Sequence, residues 1–218
     1  MTKLPHPLLG CMAEFNFLPS RTLHVSRYET YASPAMVHAV QSQPAWCAAW
    51  HRRWSASILR ELSIEAVTQT RYPALMLGLL SPRALARLAG RVGVVLAGLP
   101  VRRAIAGARV RALREQLGED LLTFARRHQH LVDAAAVSFE SLESVSGTLI
   151  SLQSLGYRTI LTSVSQSPPG ILKRIELKLP RDTQDGVCPI GTPQAWQLCS
   201  SILNDMEAAW CSFFPVHH

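Results

Sequence analysis

Residues Ile171–Pro180 read ILKRIELKLP, and how this stretch is read decides the fold. Ile171, Ile175, Leu177 and Leu179 alternate with Arg174, Glu176 and Lys178, and a period of two is the mark of a half-buried strand. The preceding SQSPPG (Ser165–Gly170) reads as a turn. The best partner for a strand here is YRTILTSV (Tyr157–Val164). Almost everything else follows helical spacing, so the expected class is mainly α with a small β element near 171–179.

Working outward, Leu142, Val145, Leu149, Leu152 and Leu155 fall near one side of a helix in SFESLESVSGTLISLQSLGY. Thr192 and Pro193 open a final helix through Trp196, Leu198, Cys199, Ile202, Leu203, Met206 and Trp210. Upstream, Ser81-Pro82 is a strong helix start, with Leu85, Leu88, Val92 and Leu96 on one face. Arg83, Arg87 and Arg91 line the other side, and Gly98 and Pro100 are expected to end the helix. Residues 101–117 then read as two short helices bent near Gly107, and Gly118 precedes a further helix carrying Leu121, Leu122, Phe124, Ala125 and Leu131 inward. Trp46, Trp50, Trp54, Ile58 and Leu62 recur every four residues and read as a core stripe on a helix from Ala45. Before it, five prolines within the first 44 residues read as loops with short elements, and EFNFLPSRTLHV (Glu14–Val25) holds one short strand.

A chain of 218 residues fits one domain, with residues 1–80 as an N-terminal subdomain packed on an 81–218 helical core. It is 48% hydrophobic and 17% charged, apolar enough to suggest that a partner covers some of its surface. Five widely spaced cysteines (Cys11, Cys47, Cys188, Cys199, Cys211) form no metal or redox pair and read as reduced thiols. LLGC at Leu8–Cys11 imitates a lipoprotein cleavage box, but MTKLPHP before it lacks the apolar run of a signal peptide. With no stretch of about 18 apolar residues either, a cytosolic protein without membrane insertion is expected.

Charge placement is the sharper signal. Ten arginines against three acids between Ser81 and Leu131 account for the whole formal charge of +7. No nucleophile elbow, phosphate loop, zinc-binding HExxH or dinucleotide fingerprint occurs, so no catalytic residue, cofactor or metal ligand is assigned and an enzyme is not expected. His128 and His130 read as surface histidines. The alternative is a basic helical nucleic-acid-associated protein. Against it, the arginines are interleaved with Ala, Leu and Val, and only Phe124 among them offers a stacking ring. From the residues alone, a face that docks on an acidic protein and a solvated helix edge with local ion pairs are equally compatible.

Four pieces carry a family resemblance: FNFLPSRTLHV (Phe15–Val25), RLAGRVGVVLAGLPVRRAI (Arg87–Ile105), ILKRIELKLP, and AWQLCSSIL (Ala195–Leu203). In this order they resemble the K-type accessory protein of bacterial type III secretion sorting platforms, the SctK/YscK-like group with plant-pathogen and rhizobial relatives. The resemblance implies a cytosolic, mostly helical, non-enzymatic adaptor at the inner membrane. Its implied partners are the cytoplasmic domain of the inner-membrane ring protein and the Q-type platform protein, and through them the L-type stator and the ATPase. On that reading Arg83, Arg87, Arg91, Arg102 and Arg103 belong to a partner-binding surface.

Overall fold

The computed structural model describes residues 6–42, 47–103, 120–121, 123–132 and 149–214. Its contacts divide the chain into two compact units. The first takes Met1–Pro82, Ser167–Arg181 and Ser212–His218, and the second takes Arg83–Gln166 and Asp182–Cys211. Among the described residues there is no strand, so the class is mainly α and the expected β element is replaced by helix.

The first unit begins with α1 (His6–Phe17), α2 (Pro19–Thr22), α3 (Tyr28–Tyr31) and α4 (Pro34–Ser42), then α5 (Cys47–Glu61) and α6 (Leu75–Gly78). Three of the prolines that read as loop signals stand at helix starts. Pro19 and Pro34 open α2 and α4, and Pro7 is the second residue of α1, where no N–H is needed for an intrahelical bond. Glu14–Val25 is accordingly the end of α1 followed by α2, not a strand. Trp54, Ile58, Leu23 and Leu177 form a buried cluster with Trp50, Tyr28, Tyr31 and Leu62 packed against it. Trp54 meets Tyr28 edge to face at 5.3 Å, so the described part of the tryptophan stripe is core. Trp46 lies outside the described residues.

The decisive correction is at 171–179. ILKRIELKLP lies in a helix, α10 (Pro169–Lys178), numbered here after the second-unit helices that precede it in the chain, and it completes the first unit. Ile171, Arg174, Ile175 and Lys178 are all buried, spaced i, i+3, i+4, i+7, the stripe of one helix face. The alternation arose from placing Arg174 and Lys178 outside. Both point inward because helix ends need their donors. Arg174 donates to the carbonyls of Phe15 (3.0 Å) and Asn16 (3.4 Å) at the end of α1, and of Gly170 (2.8 Å). Lys178 Nζ donates to Gly78 O (2.6 Å) and Leu80 O (3.0 Å) at the end of α6. The last carbonyls of a helix have no intrahelical partner and carry its negative pole, so a buried cation there is both capped and compensated. Both groups also sit near the Phe15 ring, at 5.7 and 5.4 Å.

In the second unit, α7 runs from Pro82 to Arg103 and does not end at Gly98. An interior proline removes one helix hydrogen bond and costs about 3 kcal/mol. The burial of Leu85, Leu88, Val92, Val95 and Leu96 just before it sets the helix firmly enough to continue. The helix at 123–128 is α8, followed by α9 (Leu149–Ser163), and, beyond α10, by α11 (Thr192–Met206) and α12 (Ala208–Cys211). Tyr157–Val164, expected as the partner strand, is mostly the end of α9. The bend near Gly107, Leu122, and the run from 138 to 148 lie outside the described residues. Glycines set the α7–α9 contact: a Cβ on Gly93 would stand 1.8 Å from Leu152 O, and one on Gly156 would stand 1.8 Å from Ala89 O. Each helix therefore presents a bare position to the other's backbone. Gln153 Nε2 adds a hydrogen bond to Ala86 O (3.2 Å). On α11, Ala195, Leu198, Cys199, Ile202 and Leu203 are fully buried, and burial pushes the Cys199 thiol up to about 12, an inert core thiol.

Candidate functional site

The arginines singled out by sequence all belong to α7, because the turn expected before Arg102 and Arg103 is absent. Arg83 and Arg87 are exposed and Arg91 is half-buried; the side chains at 102 and 103 lie outside the described residues. Two of the three described side chains have partners within the second unit. Arg87 forms an ion pair with Glu207, just past α11. The Arg91 guanidinium lies over the Phe124 ring at 4.7 Å, a cation–π contact.

Phe124 continues the network, since His128 stacks on its ring at 4.1 Å. His128 is buried rather than on the surface: its Nδ1 donates to Phe124 O (3.0 Å) and its Nε2 is 3.6 Å from Asp205 Oδ2. The other Asp205 oxygen is 3.6 Å from Arg127 Nη2. Asp205 and Glu207, at the C-terminal end of α11, thus gather cations from α7 and α8. Sequence reading missed both acids and the role of His128. The only available signal was that Asp205 and Glu207 follow a strongly apolar run and lie far along the chain from the arginine-rich stretch.

Among the described residues of the first unit, one arrangement resembles a catalytic pair. Ser20 Oγ is 2.8 Å from His51 Nδ1 and 2.7 Å from Ser55 Oγ. Ser20 is only 1% exposed and its hydroxyl is also 3.1 Å from His51 O, so it ties α2 to α5 and offers no approach to a substrate. Burial, with Arg21 nearby, pushes His51 below the usual histidine range. A groove of about 330 Å³ runs between residues 63–72 and the start of α10, with Glu65 and Lys173 its charged lining residues. Among the described residues no group of three or more His, Cys, Asp or Glu is placed to hold a metal ion. No helix among them is long and apolar enough to cross a membrane.

What this architecture defines is a helical protein whose notable surface chemistry is an arginine-rich helix edge partly neutralised from within. Comparison with protein families assigns it further. The family model described as YOP proteins translocation protein K (YscK) matches residues 11–203, nearly the whole chain, and the chain belongs to that family. It is therefore a type III secretion protein of the SctK/YscK group. No curated protein and no solved structure matches it.

Proposed function

We propose that the chain is a non-enzymatic cytosolic adaptor of the type III secretion sorting platform. It links the cytoplasmic domain of the inner-membrane ring protein to the Q-type protein, and through it to the L-type stator and the ATPase. The observation that carries this reading is the family match over residues 11–203. The concentration of the protein's formal charge of +7 between Ser81 and Leu131 supports an acidic partner surface. Arg83, Arg87, Arg91, Arg102 and Arg103 are its proposed residues.

The internal network ranks them. Arg87 shares its charge with Glu207 and Arg91 spends much of its face on Phe124, so Arg83, with Arg102 and Arg103, is the cleaner test. Reversing Arg83 and Arg103 to Glu is expected to cut co-purification of the Q-type protein or of the ring protein's cytoplasmic domain. The thermal midpoint should be unchanged. Full retention of both partners by the folded variant would reject this surface.

A further inference from the structure

The segment Ile64–Tyr72 (IEAVTQTRY) offers a site that the adaptor reading does not use. Helix α5 stops abruptly in front of it. Ser63 takes a left-handed conformation (φ 51°), its N–H bonds Arg60 O at 3.1 Å, and Ile64 N–H reaches back to Leu59 O at 3.1 Å. That is a Schellman-type stop, which ends the helix. The next nine residues contain no turn, bend or helix before Pro73.

One residue fixes how this strap faces. Asn16 Nδ2 donates to Val67 O (2.9 Å), and Asn16 Oδ1 accepts from Val67 N–H (2.7 Å). A side-chain amide that takes both groups of one residue stands where a neighbouring strand would stand. In extended chain the N–H and C=O of a residue point to one edge and those of its neighbours to the other. Val67 turns to Asn16, so Ala66, Thr68 and Thr70 present their main-chain groups on the opposite edge. Among the described residues no hydrogen bond takes those groups, and Ala66 and Thr68 are exposed. An open strand edge is a template for pairing with another chain.

We propose that this edge pairs with the same edge of a second copy of the chain, antiparallel about Thr68. Two features of that pairing favour a second copy. The first is register: pairing about Thr68 sets Thr68 against Thr68, and Ala66 against Thr70 of the partner. Those are the residues whose main-chain groups face outward, giving about six inter-chain hydrogen bonds. The second is charge: the same register sets Glu65 opposite Arg71 of the partner subunit, twice by symmetry, and both side chains are exposed. A two-stranded ribbon is marginal by itself, so the dimer is weak, with a dissociation constant on the order of micromolar.

Sedimentation of the full chain across micromolar concentrations tests this. The expected result is a monomer–dimer equilibrium that Thr68→Pro, which deletes the central N–H, weakens by at least about tenfold. Glu65→Arg alone and Arg71→Glu alone should each weaken it, and the double exchange should restore it. The charge variants leave the backbone untouched, so the test survives if Thr68→Pro fails to fold. A chain that stays monomeric throughout, or a dimer unaffected by the single charge changes, or one that the double exchange fails to rescue, overturns the proposal.

Discussion

Lys178 is a cation that the fold encloses, and its titration is a stability signal. Burial is the largest influence and pushes it down from 10.5 to about 8, with the Glu14 charge acting in the opposite direction. Between pH 8 and 10.5 the unfolded chain keeps a proton that the native state has released, so stability rises with pH through that window. Urea midpoints measured from neutral pH to about 9.5, below the tyrosine range, should rise in the natural protein relative to Lys178→Met, whose curve turns downward near pH 9 because the unfolded chain ionises Cys199 there while burial holds the native thiol at about 12. An equal slope in both would assign the effect to some other group. Arg174→Ala leaves the carbonyls of Phe15, Asn16 and Gly170 without their donor, and should cost about 3 kcal/mol in the same assay. Neither role is visible in the sequence, because a Lys or Arg reads as outward unless the helix ends it caps are known. Those ends lie about a hundred residues or more away along the chain, at Gly78 and at Phe15–Asn16.

At the scale of elements, the apolar stripes at Trp50–Leu62, Leu85–Leu96 and Leu198–Leu203 were legible because burial and helical period agree there. ILKRIELKLP was misread because its inward cations imitate alternation, and the first helices were missed because proline serves both loops and helix starts. The glycines of α7 and α9 separate two kinds of position that look alike in sequence. Gly93 and Gly156 stand where a Cβ would strike backbone, whereas a Cβ on Gly90 would meet nothing within 4 Å. Gly93→Ala and Gly156→Ala should each destabilise by about 2–3 kcal/mol or more, since the α7 and α9 backbones would have to separate. Gly90→Ala should instead stabilise by up to about 1 kcal/mol, the helix-propensity difference. Thermal midpoints of the three variants check the set, and a neutral Gly93→Ala would mean the helices do not meet as described.

At the scale of the whole molecule, composition located the charge but not how it is used. The excess between Ser81 and Leu131 was plain, yet Asp205 and Glu207, which partly neutralise it, come from far along the chain and meet it only in the folded second unit. Exposed pairs of this kind contribute between 0 and about 1 kcal/mol, so Glu207 matters little for stability. Its larger effect is to hide Arg87 from an outside acid. If the α7 edge docks on an acidic partner, Glu207→Gln releases Arg87 and should tighten capture of that partner, with the gain shrinking as salt rises. The thermal midpoint should move by no more than a degree or two, because only one exposed pair is lost. Reversing Arg83 should act in the opposite sense on the same binding curve. A solvated helix edge predicts no change in capture from either substitution. Opposite changes of sign in affinity, at unchanged stability, are thus the result that separates a docking face from an edge whose charges serve only the second unit itself.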